Sequence, residues 1–164
     1  MQTKLFVTAA AAFTAVIAAA CGSSTPSATA SSPTAATSPA AAPGQTIMVA
    51  TNTKLGQILV DSAGKTVYLF VADKSTTSTC YPSCAQLWPP VLTTGAPVAG
   101  TGAQASLLGT TTRTDGTTEI TYAGHPLYYF VSDKALGDTT GQGVNSFGGL
   151  WWVLSPAGTA ITTQ

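Results

Sequence analysis

Tyr68-Leu69-Phe70-Val71-Ala72-Asp73-Lys74 returns at an offset of 60 residues as Tyr128-Tyr129-Phe130-Val131-Ser132-Asp133-Lys134. The match runs back without a gap to Ala63-Gly64 and Ala123-Gly124, and between Asp61–Lys74 and Thr121–Lys134 seven of fourteen positions are identical. A fixed offset marks an internal repeat whose single copies are too small to bury their own apolar faces. The two copies are therefore expected to pack on each other.

Ahead of the first copy, Ile47 to Ala50 and Ile58 to Asp61 are short runs rich in β-branched residues, and Asp61-Ser62-Ala63-Gly64 suits a tight reversal into Lys65 to Ala72. In that last strand Val67, Leu69 and Val71 alternate with Tyr68, Phe70 and Ala72, so both faces are apolar and the strand should be covered on both sides. The second half repeats the plan in Thr117 to Tyr122, the turn Ala123-Gly124-His125 and a strand from Pro126 to Ser132. Pro126 lacks a donor, which confines it to a strand start or a bulge. Each repeated strand leads, after a divergent loop, to a tryptophan segment, Leu87-Trp88-Pro89-Pro90-Val91-Leu92 or Leu150-Trp151-Trp152-Val153-Leu154. The Pro pair excludes a regular inner strand from the first of these, and Cys84 to Trp88 suits a short helical turn. The fold expected is mostly β, two tandem β-hairpin-based repeats (about 47–98 and about 106–162) packed into one antiparallel domain over 46–164, with little helix.

The rest of the chain gives an address. Residues 1–20 combine Lys4, an apolar stretch from Leu5 to Ile17 and the small residues Ala18-Ala19-Ala20, the layout of an export signal that is too short for a membrane-spanning helix. Cys21 follows directly, and Ala18-Ala19-Ala20-Cys21 resembles the lipobox of bacterial lipoproteins, although without the usual leucine at its first position. That resemblance implies acylation of the Cys21 thiol by a fatty acid such as palmitate, and a protein lipid-anchored on the extracytoplasmic face of the cell membrane. Residues 21–45 are almost wholly Ser, Thr, Ala, Pro and Gly, a composition that cannot bury enough apolar area to fold, and are read as a disordered tether with a reach on the order of 50 Å. Of six basic and six acidic residues, Lys4 leaves with the signal, so five against six remain. Such a sparse, nearly neutral charge set argues against nucleic acid as a partner.

Three motifs together, the doubled Tyr-x-Phe-x-x-Asp, Cys80-x-x-x-Cys84-Ala-x-x-Trp88-Pro-Pro, and Gly141-Gln-Gly followed by Trp and Ser155-Pro-x-Gly158, resemble those of bacterial lipoproteins with a secreted repeat of unknown function. The resemblance spans roughly residues 50–160. It implies export, lipidation and tandem repeats, and brings no catalytic residue with it.

Several residues invite chemistry. Outside the cytoplasm, Cys80 and Cys84 are expected to form a disulfide that shapes the loop locally. The alternative is a copper or thiol redox site, with Cys80, Cys84 and the lone His125 as soft and borderline ligands. Asp73 and Asp133 form a formal carboxylate pair, but strand-end aspartates that accept backbone donors from the next turn explain both without catalysis. Large aromatics at repeat-equivalent positions, Tyr68, Phe70, Tyr128 and Phe130, are core by expectation, whereas Trp88, Trp151 and Trp152 offer a possible ligand surface. The Gly-rich stretch Asp138 to Gly149 lacks the Lys-Ser/Thr of a phosphate loop, and no Gly-x-Ser-x-Gly elbow is present. The functional expectation is a non-enzymatic surface-exposed lipoprotein without a cofactor. It would act as a binding or structural module, with a cell-wall polymer or another envelope protein as partner.

Overall fold

A computed structural model describes residues 44–163; the signal, the lipid-attachment position Cys21 and all but the last two residues of the expected tether lie outside them. Gly44 and Gln45, assigned to the tether on composition, already belong to the domain. Gly44 N donates to Ala96 O at 3.0 Å, Gln45 N to Thr93 Oγ1 at 3.2 Å and Gln45 Nε2 to Tyr129 Oη at 3.3 Å.

Both repeats open on a hairpin. In the first, β1 (Thr46–Asn52) pairs antiparallel with β2 (Gly56–Asp61) around a turn closed by Asn52 Oδ1, which accepts from Lys54 N and Leu55 N at 2.9 and 3.0 Å. After the tyrosine strand β3 (Tyr68–Phe70), the helical turn α1 (Ser83–Leu87) and the short β4 (Val98–Ala99), the second repeat opens with β5 (Leu108–Thr112) and β6 (Thr118–Tyr122). Here Asp115 Oδ1 closes the turn by accepting from Thr117 N at 2.9 Å and Thr117 Oγ1 at 2.6 Å. The β5 strand carries Gly-Thr-Thr-Thr and no apolar alternation, which is why periodicity alone does not reveal it. Its partner β6 runs through Ala123 and Gly124, both at positive φ (50° and 82°), into β7 (His125–Pro126), the two-residue reversal that right-twisted strands favour. The chain closes with β8 (Asn145–Ser146) and β9 (Gly149–Val153).

The tyrosine strands are shorter than the sequence pattern suggests. β3 ends at Phe70, to whose O Asp73 N turns back at 3.1 Å; the strand expected from Pro126 to Ser132 is reduced to β7 and an isolated bridge at Tyr128, and Asp133 N turns back to Phe130 O at 3.1 Å. Val71 and Val131, expected to be buried, are exposed in the resulting turns. Within the strands the alternation holds: Val67, Leu69 and Leu127 enter one core cluster with Trp152 and Leu154, while Tyr68, Phe70 and Tyr128 enter the other with Trp88, Trp151 and the cysteines. Each cluster draws on both repeats.

The joint between the repeats is an exchange. Tyr68 and Tyr128 lie antiparallel, Tyr68 N donating to Tyr128 O at 2.8 Å and Tyr128 N to Tyr68 O at 3.0 Å. On its other side β3 pairs with β9, the tryptophan strand of the second repeat, through Leu69 opposite Trp152. Reciprocally, Tyr129 N donates to Pro89 O at 2.8 Å and Val91 N to Leu127 O at 2.8 Å, so the first repeat's tryptophan segment lines the second repeat's tyrosine strand. The side chains continue the exchange as a four-ring stack, Phe70 on Trp151 at 4.0 Å, Trp151 on Trp88 at 4.0 Å and Trp88 on Phe130 at 4.1 Å between centroids. Tyr68 meets Trp88 edge-on at 5.4 Å and Tyr128 meets Trp151 edge-on at 5.1 Å.

Trp88 and Trp151 are fully buried, and removing either ring from the middle of the stack leaves a cavity that close-packed neighbours fill only in part. Trp88→Ala and Trp151→Ala are each expected to cost about 3–5 kcal/mol. Because the rings touch, the double variant should lose less than the sum of the two. Urea unfolding followed by circular dichroism checks both statements.

Candidate functional site

The residues singled out by the repeat meet at the joint. Tyr68 Oη donates to Asp133 Oδ2 at 2.6 Å, and Tyr128 Oη donates to Asp73 Oδ2 at 2.6 Å. Each motif's tyrosine is thus answered by the other motif's aspartate. The second oxygen of each carboxylate is held locally: Thr79 N and Oγ1 reach Asp73 Oδ1 at 2.8 and 2.6 Å, and Thr140 N and Oγ1 reach Asp133 Oδ1 at 2.9 and 2.5 Å. The backbone-accepting role expected of the aspartates is present, and the cross-repeat bond adds to it. Burial first, and then donation to Asp133, pushes the Tyr68 phenol far above its ordinary range; burial and the nearby Glu119 and Asp73 carboxylates do the same at Tyr128. Both phenols are therefore held in the protonated form, as donors.

Behind Tyr128 lies a buried charged network. Tyr128 Oη also reaches Ser78 Oγ at 2.7 Å; Ser78 Oγ accepts from Arg113 Nη1 at 2.8 Å, and the same nitrogen donates to Glu119 Oε2 at 2.7 Å. Arg113 Nη2 donates to Cys80 O at 2.9 Å, and its guanidinium lies over the Tyr81 ring at 4.3 Å. Glu119 is fully buried and Arg113 nearly so. Burial raises the Glu119 carboxyl to about 7 against the opposing pull of Arg113. Burial acts to lower Arg113, and the bond to Glu119 overcomes it and raises the guanidinium. Neither residue carries a sequence signal: Arg113 follows a threonine run, and Glu119 alternates with threonine on a strand whose other face is solvent in ordinary hairpins. Arg113 follows directly on β5, and the turn it begins brings it back to Glu119 on β6.

Cys80 and Cys84 form a disulfide with Cα atoms 5.1 Å apart, and both residues are buried in the aromatic cluster. The alternative metal set is not gathered. Among the described residues no three His, Cys, Asp or Glu side chains converge, and His125 sits in β7 opposite Tyr122. The tryptophan surface is also corrected: Trp88 and Trp151 are 0% exposed and Trp152 8%, because each tryptophan segment is an inner neighbour of the other repeat's tyrosine strand. Both buried indole N–H groups find partners within the fold, Trp88 Nε1 at Ser146 Oγ and Trp151 Nε1 at Ser146 O, each at 3.3 Å.

The open concavities lie elsewhere. One, of about 650 Å³, is lined by Gly44, Gln45, Thr93 and Thr117 where the chain enters the domain, and carries no charged side chain. Another, of about 210 Å³, is lined by Lys65, Thr66, Tyr129, Phe130, Asp133 and Lys134, with Leu136 over it.

A family model described as a secreted repeat of unknown function matches the chain twice, over residues 49–92 and 109–155. No curated protein and no solved structure matches it.

Two outcomes are expected of the joint. Tyr68→Phe and Tyr128→Phe each remove a hydrogen bond to a carboxylate, at a cost of about 1.5–3 kcal/mol. Tyr128→Phe should cost more, because it leaves the buried Asp73 short of a donor and Ser78 without its phenol; urea midpoints of the two variants decide this. For Glu119, a carboxyl pKa raised on folding means that the folded state holds the proton more tightly, so its contribution favours folding at low pH and is lost as the pH rises through about 7. Measured as the unfolding free energy of the wild type minus that of Glu119→Gln, the difference should fall between about pH 5 and pH 8, by about 3 kcal/mol at most.

Proposed function

This chain belongs to the family of secreted repeats of unknown function, and we propose that it is a non-enzymatic module of the bacterial cell envelope, held on the outer face of the membrane by lipid on Cys21. Its two-repeat domain acts in binding or support, reaching toward a cell-wall polymer or another envelope protein.

One observation carries the reading. The residues that define the repeat, Tyr68, Phe70 and Asp73 with Tyr128, Phe130 and Asp133, are all engaged in fastening one repeat to the other, by the two tyrosine–aspartate bonds and the ring stack. A motif whose chemistry is occupied in this way specifies a rigid body rather than a reacting centre. The disulfide lies in the same body, and its buried sulfurs are sheltered from thiol exchange, which needs access to an attacking thiolate.

The test is fractionation of cells producing the wild type or Cys21→Ser. The wild type is expected in the membrane fraction with acyl mass on Cys21, and the variant in the medium with its domain folded. A wild type that is released, or that lacks acyl mass, would remove the anchor from the reading. Sedimentation of the released variant with purified cell wall tests the binding role: retention supports it, and absence of retention leaves only a structural one.

A further inference from the structure

We propose that the cavity between the turn at 64–66 and the segment at 133–136 binds a small oxyanion, a carboxylate or a phosphate. This deepens the binding-module reading above and rests on it for its biological setting, while its chemistry is argued from the cavity itself.

The cavity exists because the two repeats differ after their aspartates. In the first repeat the chain passes into the disulfide loop; in the second, Lys134 N and Ala135 N close at once on Asp138 Oδ2, at 2.9 and 2.7 Å. The compact loop folds onto the first repeat's turn, where Gly137 N donates to Gly64 O at 3.0 Å. Gly64 is held at φ 86°, and a side chain there would meet Leu136. The space enclosed, about 210 Å³, is room for about seven water molecules at about 30 Å³ each, a small-ligand volume rather than a drug-sized one.

Its polar lining is unevenly satisfied. Thr66 is 2% exposed, and its Oγ1 has no hydrogen-bond partner among the described residues, a costly state for a buried hydroxyl. Strand alternation puts Thr66 on the same face as Tyr68, whose phenol reaches Asp133, another residue of the lining. The hydroxyl is sealed behind the inner wall, out of reach of anything in the open space. At the rim stand two exposed lysines, neither of which is in an ion pair among the described residues. Lys65 Nζ lies 4.5 Å from the Tyr129 ring centroid and Lys134 Nζ donates to Val131 O at 2.6 Å, so each ammonium keeps donors to spare. The one carboxylate in the lining, Asp133, already has both oxygens occupied by Tyr68 and Thr140. The Asp138 carboxylate of the same loop has its Oδ2 taken up by Lys134 N and Ala135 N, so the rim ammonium groups are the uncommitted charges beside the cavity and favour an anion there. The equivalent turn of the second repeat holds His125 and Pro126 in place of Lys65 and Thr66, so the site is single.

The chain carrying Cys21→Ser, which needs no detergent, is titrated calorimetrically at low ionic strength with inorganic phosphate and, separately, with glucuronate. Saturable binding of at least one probe at one site per chain is expected, weakened tenfold or more in Lys65→Ala/Lys134→Ala and unchanged in the control Lys54→Ala/Lys74→Ala. Which probe binds more tightly distinguishes a carboxylate source from a phosphate source. Saturable heat from neither anion, or equal binding by Lys65→Ala/Lys134→Ala, overturns the site. Wall sedimentation that persists without anion binding would overturn the site and leave the binding-module reading standing.

Discussion

Two hydrogen bonds that run in opposite directions across the repeat boundary, Tyr68 to Asp133 and Tyr128 to Asp73, set the terms for the rest of the molecule. Each is a short bond from a buried phenol to a carboxylate, and neither repeat can make one alone. They bring the tyrosine strands together at their centres, and the ring stack Phe70–Trp151–Trp88–Phe130 then closes between the tryptophan segments that each repeat lends to the other. A half-domain would expose the tyrosine, its aspartate and two large rings at once, so the duplication is a condition of folding and not an extension of a stable unit.

The symmetry of this joint is broken by the unlike loops that leave the two aspartates. On the first side the loop carries the disulfide and brings Ser78 and the Cys80 carbonyl to Arg113, which pairs with the fully buried Glu119. Taking an ion pair out of water is costly, and here Arg113 Nε and Glu119 Oε1 are left without hydrogen-bond partners among the described residues. The pair ties the disulfide loop of one repeat to the hairpin of the other, a specifying role more than a stabilising one. On the second side the loop turns back at once on Asp138, and its closure on the opposite turn leaves the lysine-rimmed cavity.

Division of labour results from that asymmetry. The repeated residues hold the body together, and the residues that differ between repeats are the ones left with unused donors and open space. Family membership, the secreted character that the family description carries and the rigid joint agree with one another. They locate the open chemical question at the divergent loops and not at the motif.

From the sequence by itself came the duplication, the β character, the short helical turn before Trp88, the Cys80–Cys84 pairing and the two-faced burial of the tyrosine strands, because each of these is written in local spacing or period. The tertiary structure alone decided which aspartate answers which tyrosine, since a period of two fixes the face a side chain takes but not the partner it meets there. It also turned the tryptophans inward, where strand pattern had left them free to face solvent, ended the first tyrosine strand at Phe70, reduced the second to β7 and a bridge at Tyr128, and kept His125 away from the cysteines. The β5 strand, the Arg113–Glu119 pair and the Lys65–Thr66–Lys134 cavity were illegible for the same reason. Threonine-rich strands carry no hydrophobic period, and residues far apart in the chain, such as Lys65 and Lys134, become neighbours only when two repeats exchange their strands.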